Sequence, residues 1–574
     1  MMNHGLHHDI SFLSLTSKRI FRVGSRRHIS IPFVSNVVDG CCTNRQEVRS
    51  YHDTSSLSSS SSSNNYEYTK CLSSVIDRMQ RVGKRDSNVS RGGRKMHKSY
   101  NPNTGDVISE YVVASQQDVD DAVGSARVAF KQGSDKNGNG NISMDTSGVL
   151  NRAADLVETK YRAELAYIES LDSGIPISQT RYHMDAVVDC LRYYAGVAAV
   201  GFPKQGVSME LEREANAFCY TRREPLGVVA GIGAWNYPLL LLIWKLAPAF
   251  ASGNAMLYKP SECTVMTAIL FESIFREAGA HHDMFQVVLG DAEVGRMLTT
   301  HKYIEKIAFT GSTNAGIEIS KSASESMKTC TLELGGKSPL LVFADADLDR
   351  AVEVAVNGNF VNNGEVCTNC TRVYVHRSII EKFLELLVQK TKKLTIGNSL
   401  KDEVCVGPLI MYPTNPTSHV DSVSSMIEGA KIDRSCELVH GGFVNGQFVT
   451  PTIFKCEANN SGIVQHEIFG PVMCVLSFED DLDALNMANN SKYGLAAGIM
   501  TKNLSRAHSL AQKLDVGYVW INNYNLTPVQ LPFGGRKMSG HGKELGLDPI
   551  LQHYTQTKTV YVDLENGNEI PTPF

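Results

Sequence analysis

The chain has 574 residues, of which 42% are hydrophobic and 20% are charged, a composition typical of a globular protein with more than one domain. Its net charge of −4 offers no general attraction to nucleic acid or to anionic lipid, so neither is an expected partner. Thirteen cysteines without paired spacings argue against a secreted disulfide framework and favour reduced thiols.

The first ninety residues differ in composition from the rest of the chain. Residues 1–52 are rich in arginine and poor in acidic residues, as organelle transit peptides are, and mitochondrial ones in particular. The serine tract from Ser55 to Ser63 that follows cannot bury enough surface to fold. We therefore expect residues 1–90 to be a leader and a disordered segment of a mitochondrial protein. The alternative is a disordered tail without a targeting signal, on a cytoplasmic protein.

From about Ser99 the sequence has the pattern of a folded α/β protein. The stretch NPNTGDVISEYVVAS predicts two short strands around an Asn-Thr-Gly turn, and QQDVDDAVGSARVAF predicts a helix capped by Ser115. Residues 134–148 are rich in Gly, Asn and Ser and predict an exposed loop. Helices are expected over about 148–172 and 178–200.

Farther along the chain, apolar runs alternate with amphipathic helices, which predicts a mainly parallel sheet with helices on both faces. The runs predicted as strands are LGVVAGIG, NAMLYKP, MFQVVLG, KIAFTG, SPLLVFAD, TRVYVH and GYVWIN. The stretch from Val228 to Trp244 carries no charge, but it is short for a membrane span and Asn236-Tyr237-Pro238 interrupts it. We expect a buried strand, a turn and a buried helix there, and no membrane anchor.

Two loops at predicted strand ends have the pattern of phosphate-binding turns. GIGAWN (231–236) contains two glycines of a dinucleotide fingerprint but has Asn236 in place of the third, which is a weak signal. FTGSTNAG (309–316) follows a strand and opens a helix. Its Gly311 allows a sharp turn, and Ser312 with the first helical N–H groups can meet a phosphate. On spacing alone, a glycine-capped turn without a ligand is equally compatible.

A third segment, NAMLYKPSE, runs from a strand into a loop and indicates which dinucleotide is preferred. Lys259 and Glu262 would emerge at the same edge of the sheet as the two loops. A carboxylate there accepts hydrogen bonds from ribose hydroxyls and repels a 2′-phosphate, which favours NAD over NADP. A solvated Lys–Glu pair is the alternative for this segment taken alone.

Two further segments carry candidate chemistry. Glu333 lies in the apolar stretch TLELGGKSP, where partial withdrawal from water raises the pKa of a carboxyl group and suits a general base; a structural buried carboxylate is equally compatible. Thirty-four residues later, NGEVCTNC places Cys367 and Cys370 three residues apart. The spacing alone leaves open a metal clip, a redox pair, or a nucleophile beside a second, inactive thiol.

Taken together, these motifs resemble one family. EPLGVVAGIGAWNYP, KPSE, FTGS, ELGGKSP, GEVCTN, EIFGPV, YGLAAG and PFGGRKMSG occur in the order found in the NAD(P)-dependent aldehyde dehydrogenase superfamily. The resemblance extends over about residues 97–565. It implies an α/β fold with a Rossmann-like NAD-binding domain (91–203 and 226–334), an α/β catalytic domain (335–553) and a small β oligomerisation arm (204–225 and 554–566). It also implies a small-molecule aldehyde substrate, a homo-oligomer (dimer or tetramer) and no catalytic metal.

The resemblance assigns expected roles to individual residues. Cys367 matches the family's nucleophile, which makes Cys370 a bystander, although a regulatory Cys367–Cys370 disulfide stays open. Asn236 matches the oxyanion donor and Glu333 the base that activates water, while Lys245 and Glu544 match a proton-relay pair. The residues expected to bind the cofactor are Trp235, Lys259, Ser261, Glu262, Gly311, Ser312, Gly316, Leu334, Glu467 and Phe469.

Within the superfamily the chain is most similar to the dehydrogenases of 4-trimethylaminobutyraldehyde and betaine aldehyde. A quaternary ammonium group cannot hydrogen-bond and is recognised by aromatic faces. The residues expected to form an aromatic box are Tyr237, Trp244, Tyr524 and Phe533. The alternative is a tunnel for general aliphatic or amino aldehydes. Three departures bear on the choice: Val361 replaces a common aromatic, Glu365 a common glutamine, and Arg536 a common tyrosine. A cation at position 536 near the site would oppose a cationic substrate; the alternative is that Arg536 points at the cofactor.

Overall fold

The computed structural model describes residues 73, 75–76, 94–134, 145–210 and 217–563. The predicted leader, the serine tract and most of the predicted loop over 134–148 lie outside these residues. Within them, no helix is long and apolar enough to cross a membrane. The uncharged stretch from Val228 to Trp244 forms a strand, a turn and the first half of a helix, as predicted.

Each of the seven predicted apolar runs contains a strand, and further strands outside these runs complete the sheets. In chain order they are β1 (Met96–Tyr100), β2 (Val107–Val112), β3 (Ser208–Glu210), β4 (Ala217–Pro225), β5 (Val228–Ile232), β6 (Ala255–Lys259), β7 (Phe285–Val287), β8 (Lys306–Thr310), β9 (Thr329–Glu333), β10 (Pro339–Val342), β11 (Arg372–His376), β12 (Cys436–His440), β13 (Val444–Asn445), β14 (Phe448–Val449), β15 (Thr452–Cys456), β16 (Val472–Phe478), β17 (Tyr493–Gly494), β18 (Ala496–Met500), β19 (Tyr518–Ile521), β20 (Arg536–Lys537), β21 (Gly540–His541) and β22 (Thr555–Asp563).

The helices alternate with these strands, as the apolar periodicity predicts. In chain order they are α1 (Gln116–Ser134), α2 (Thr146–Leu156), α3 (Arg162–Ser173), α4 (Ile177–Ala199), α5 (Pro238–Ala251), α6 (Met266–Glu277), α7 (Ala292–Thr300), α8 (Thr313–Ser324), α9 (Leu348–Phe360), α10 (Ile380–Thr391), α11 (Ser418–Ile432), α12 (Gly462–Gln465), α13 (Asp481–Asn489), α14 (Leu504–Lys513) and α15 (Asp548–His553). A π-helical turn, Val157–Tyr161, joins α2 to α3.

The first large sheet has six strands in the order β21-β9-β8-β5-β6-β7. The five strands from β9 to β7 pair in parallel, and β21 pairs antiparallel to β9 at the edge. Every residue of β5, β6 and β8 is buried, because helices cover both faces of the sheet. This is the mainly parallel sheet that the alternating pattern predicts, and the Rossmann-like unit that the family resemblance implies.

The second large sheet has seven strands in the order β12-β15-β16-β11-β10-β18-β19. Its strands pair in parallel except at one edge, where β12 runs antiparallel to β15. Strands far apart in sequence lie side by side here: β10 lies between β11 and β18. The two sheets together make the chain an α/β protein, as predicted.

A three-stranded antiparallel sheet, β22-β4-β3, forms a separate arm from the two segments predicted for it. One predicted boundary needs correction. The range 335–553 was expected to form the catalytic domain, but β21 joins the six-stranded sheet, and Leu545 and Ile550 pack in the core around it. The chain therefore returns to the first domain after Phe533, because β21 hydrogen-bonds to β9 and α15 packs against α5 and β9.

Candidate active site

A cavity of about 2070 Å³ opens where the six-stranded sheet meets the second domain. The carboxyl ends of β5, β6, β8 and β9 reach it, which is where ligands bind in open parallel sheets. All but two of the residues predicted for the site line this cavity; the exceptions are Lys245 and Gly316. Gly316 instead packs behind the wall, where a Cβ would come within 2.5 Å of Leu334 Cδ2.

Cys367 lies in the turn that follows α9 and a 3₁₀ turn, Val361–Gly364. In that turn Asn362 and Asn363 adopt positive φ angles of 51° and 56°, a conformation that asparagine tolerates better than most residues. Cys367 is half-buried and lines the cavity. Burial, followed by the charges of Glu467 and Glu333, raises the pKa of Cys367 to about 12, so the thiol needs a base to become a nucleophile.

Cys370 occupies a different environment. Its thiol is fully buried in the core of the second domain, where Sγ accepts a hydrogen bond from Asn359 Nδ2 at 3.2 Å. A Cβ added to Gly358 would lie 2.6 Å from this sulfur, so the pocket around it is tight. Cys370 does not line the cavity, and no third or fourth ligand for a metal clip accompanies the pair among the described residues. The spacing left three alternatives open, and the different surroundings of the two thiols favour a nucleophile beside an inactive thiol.

Asn236 is held at the end of the loop that follows β5. Its Nδ2 donates to the backbone oxygen of Glu365 at 2.9 Å, and its own backbone oxygen accepts from Asn362 Nδ2 at 2.6 Å. These two bonds tie the loop after β5 to the turn that carries Cys367. The second N–H of the Asn236 amide can therefore donate to an oxygen bound beside Cys367.

Glu333 ends β9 at the floor of the cavity. Its carboxylate is buried, and neither oxygen has a hydrogen-bond partner of normal geometry among the described residues. Desolvation raises the pKa of Glu333 well above its usual range, and the negative charge of Glu544 raises it further. The backbone at Gly534 approaches the Glu333 carboxylate closely: a Cβ on Gly534 would lie 2.3 Å from Glu333 Oε1.

Lys245 and Glu544 form a buried ion pair behind Glu333. Lys245 Nζ lies 2.8 Å from Glu544 Oε1 and donates to Thr310 Oγ1 at 2.6 Å. The other carboxylate oxygen of Glu544 is buried without a hydrogen-bond partner among the described residues, whereas Glu544 itself lines the cavity. The pair thus connects the cavity, which Glu544 lines, to Lys245, a buried residue of helix α5 that does not line the cavity.

The opposite half of the cavity has the donors and acceptors that a dinucleotide requires. Ser312 caps helix α8 by accepting from Ala315 N at 3.3 Å, so the positive end of that helix faces the cavity. The Glu262 carboxylate and Ser261 line the wall beside it. Lys259 is buried, and its Nζ donates to the backbone oxygens of Pro260 at 2.9 Å and Gly290 at 2.8 Å. The same Nζ lies 3.8 Å from the Glu262 carboxylate.

Glu467 and Phe469 lie between the two halves of the cavity. Glu467 Oε1 accepts from Gly336 N at 2.9 Å, and burial raises the pKa of Glu467 to about 7. Phe469 adopts a φ of 58°, which is strained for an aromatic residue and is typical of a functional position. Its ring packs edge-on against Trp235 with centroids 5.1 Å apart.

The four rings predicted for the substrate box all line the cavity, although they differ in setting. Trp244 and Phe533 form an edge-to-face pair with centroids 5.3 Å apart. Tyr237 packs on His183 at 4.8 Å. Tyr524 is almost completely buried and its hydroxyl donates to Thr368 O at 2.8 Å, so that only part of this ring is available to a ligand.

Two of the three sequence departures lie away from the cavity. Arg536 is exposed, lies 3.7 Å from Asp515 and does not line the cavity, so neither alternative for it, repulsion of a cationic substrate or contact with the cofactor, is seen. The Glu365 carboxylate is buried, accepts from Ile410 N at 3.1 Å and lies 3.3 Å from His419 Nε2. Only Val361 lines the cavity.

Helix α4 contributes residues to the cavity that no motif indicated. His183 pairs with the buried Glu169, Nδ1 to Oε1, at 3.3 Å. Asp185 and Asp189 also line the cavity; Asp185 pairs with Arg162 at 2.7 Å, whereas Asp189 forms no ion pair in the described part of the chain. The signal that could have found them is the helical periodicity of the helix predicted over 178–200, which puts residues four apart on one face.

Fold and cavity together define an oxidoreductase that binds a dinucleotide at the carboxyl edge of a parallel sheet and carries a cysteine in the same cavity. Residues 89–560 match the model of the aldehyde dehydrogenase family, and the chain belongs to that family. The protein is an NAD-dependent aldehyde dehydrogenase.

Solved structures of relatives agree with this family. An NAD⁺ complex of aldehyde dehydrogenase from Bacillus cereus is 37% identical with a TM-score of 0.77, and the match covers 82% of this chain and 94% of that one. A putative aldehyde dehydrogenase from Burkholderia cenocepacia is 34% identical, with a TM-score of 0.78 and coverage of 85% and 97%. A point mutant of betaine aldehyde dehydrogenase from Staphylococcus aureus, also with NAD⁺, is 32% identical, with a TM-score of 0.78 and coverage of 84% and 96%.

Proposed function

We propose that the enzyme oxidises a trimethylammonium aldehyde, such as 4-trimethylaminobutyraldehyde or betaine aldehyde, to its carboxylic acid through a thioester on Cys367. The observation that carries the proposal is that two groups line the same cavity as Cys367: the aromatic rings of the predicted box, and the carboxylates of Asp185 and Asp189 on helix α4. Acid formation by hydrolysis rests on Glu333, a buried carboxylate with a raised pKa at the floor of that cavity.

The first step is attack of the Cys367 thiolate on the aldehyde carbon. Because the thiol has a pKa of about 12 in the free enzyme, its proton must pass to a neighbouring base, and the carboxylates of Glu467 and Glu333 are the charged groups that act on it. The oxyanion that forms accepts from the Asn236 amide and the Cys367 backbone N–H. Donors held in place before the reaction stabilise such an oxyanion most effectively.

Bound NAD supplies the hydride acceptor, and its binding fits the residues present: the capped start of α8 for phosphate, and the Glu262 carboxylate for a ribose without a 2′-phosphate. Loss of hydride from the adduct leaves a thioester on Cys367. Glu333 then takes a proton from water, which attacks the thioester and releases the acid. The ion pair of Glu544 with Lys245 provides a route by which that proton leaves Glu333.

A cationic substrate fits the electrostatics of the cavity. Asp189 is exposed and has no ion-pair partner among the described residues; partial desolvation and the charge of Asp185 raise its pKa, whereas the charge of Arg192 lowers it. Arg192 also lines the cavity, but its guanidinium pairs with Asp155 and Glu158. A quaternary ammonium group between the Trp244–Phe533 pair and Asp189 would gain cation–π contacts and a long-range attraction to the carboxylate.

The test compares kcat/KM for a trimethylammonium aldehyde with kcat/KM for its uncharged, isosteric tert-butyl analogue. Cation–π contacts contribute about 0.5–2 kcal/mol each, so two of them predict a preference of about tenfold or more for the cation. In Trp244→Leu and in Asp189→Asn this preference should shrink while turnover of the tert-butyl aldehyde is kept. Equal kcat/KM values in the wild-type enzyme would contradict the proposal and indicate a general aliphatic aldehyde dehydrogenase.

A further inference from the structure

Three cysteine side chains meet near one edge of the seven-stranded sheet. Cys436 begins the edge strand β12, Cys456 ends β15, and Cys474 lies within β16. The sulfurs of Cys436 and Cys456 are 2.8 Å apart, and Cys474 packs in the same hydrophobic core as Cys456. None of the three lines the cavity that contains Cys367, so the proposed reaction does not use them.

The strand register shows that Cys436 and Cys456 can be bridged. The two residues lie directly opposite each other in the antiparallel ladder of β12 and β15. The Glu457 N–H donates to Ser435 O at 2.8 Å, so the neighbouring pair Ser435–Glu457 is hydrogen-bonded. Cys436 and Cys456 are therefore a non-hydrogen-bonded pair of the ladder. At such positions the Cα atoms are about 4.5 Å apart, which is within the range of about 4.4–6.8 Å found for disulfides.

The same register shows that Cys474 cannot be bridged to Cys456 without movement of the backbone. Strands β15 and β16 are parallel, and Phe454 is the residue opposite Cys474, so Cys456 is displaced by two residues. With strands about 4.8 Å apart and a rise of about 3.3 Å per residue, the two Cα atoms are about 8 Å apart. Disulfides do not form beyond about 7 Å.

Cys474 nevertheless has a chemical role available to it. The neighbouring Cys456 thiol lowers the pKa of Cys474 against the effect of burial, and the charges of Lys337 and Arg372 lower it further. Lys337 is buried, and its Nζ has no hydrogen-bond partner among the described residues. Cys474 thus lies near the Cys456 thiol and a buried cation, a position from which it can accept the proton of that thiol.

We propose that Cys436 and Cys456 are a site of reversible oxidation, at which a hydroperoxide converts the two thiols to a disulfide that ties the edge strand β12 to the sheet. Cys436 is half-buried and is therefore the thiol that solvent reaches. Its thiolate attacks the hydroperoxide, which leaves as an alcohol while Cys436 becomes a sulfenic acid. Cys456 then attacks that sulfur as Cys474 takes its proton, the S–O bond breaks, and Cys474 passes the proton to the departing oxygen, which leaves as water. The sum is two thiols and one hydroperoxide giving a disulfide, an alcohol and water.

The test maps disulfides in the full-length enzyme with and without hydrogen peroxide treatment, and in each sample the remaining free thiols are alkylated before digestion. Trypsin releases residues 435–455, which contain Cys436, and residues 456–492, which contain both Cys456 and Cys474. Cleavage by a Glu-specific protease at Glu457 then separates Cys456 from Cys474. We expect a Cys436–Cys456 link that dithiothreitol reverses, whether it is already present on purification or appears after peroxide.

Variants distinguish the three thiols. Cys436→Ser and Cys456→Ser should each abolish the link. Cys474→Ser should keep the link but slow its formation by about 10²-fold, the low end of general-base contributions. Cys219→Ser, at a half-buried position on β4, is the matched control and should form the link like the wild type. NADH formation by Cys436→Ser should equal that of the wild type, which confirms folding. A link to Cys474, or full alkylation of both Cys436 and Cys456 after peroxide, would overturn the proposal.

Discussion

Replacement of Glu333 by glutamine separates the two halves of the reaction. The change keeps the shape of the side chain in the pocket beside Gly534 and removes its ability to accept a proton from water. It also removes one of the two carboxylate charges that raise the pKa of Cys367, so the thiol should become more acidic and acylation should be preserved. General-base catalysis contributes about 10²–10⁴-fold, or about 2.7–5.4 kcal/mol of barrier. Steady-state turnover of Glu333→Gln should fall by that factor.

Rapid-mixing measurements of NADH with this variant should show a burst of about one NADH per Cys367, followed by the slow phase. The pH dependence of alkylation by iodoacetamide, compared between wild type and Glu333→Gln, reports the Cys367 pKa directly and should move to lower pH in the variant. Acid quenching during the slow phase should trap the thioester on the peptide that contains Cys367. Normal steady-state turnover would show that Glu333 is not the hydrolytic base. Absence of a burst would show instead that Glu333 is needed for acylation.

Three further predictions address the same cavity. Cys367→Ala should abolish NADH formation while NAD binding, followed by fluorescence titration, is retained, whereas Cys370→Ala should keep most activity; equal losses would mean that the thiols act together. Asn236→Ala should slow the burst itself by about 10²–10³-fold, as expected for loss of an oxyanion donor, and an unchanged burst would remove it from that role. In Glu544→Gln the loss of a negative charge should lower the pKa of Glu333, so that the acid limb of the kcat–pH profile moves to lower pH. A shift to higher pH would contradict the charge assignment.

Local sequence determined the positions of the strands and the residues at their ends. The run VVAGI carries no charge, and KIAFT carries only that of Lys306. These runs form the fully buried strands β5 and β8, because both faces of a parallel sheet are covered. The turns after these strands bring Asn236 and Ser312 to the edge where a dinucleotide binds. Motif order was therefore sufficient to indicate the family and the residues around Cys367.

Tertiary structure alone decided which distant side chains meet. Crossover connections place strands that are far apart in sequence side by side, so no local pattern indicated that Cys436, Cys456 and Cys474 lie together. The same is true of helix α4, whose carboxylates turn toward the cavity because its apolar face packs on α2 and α5. The same holds for position 536, where the sequence left open a cation near the substrate or one facing the cofactor. Arg536 lies at the surface beside Asp515, because the chain turns there to return to the six-stranded sheet.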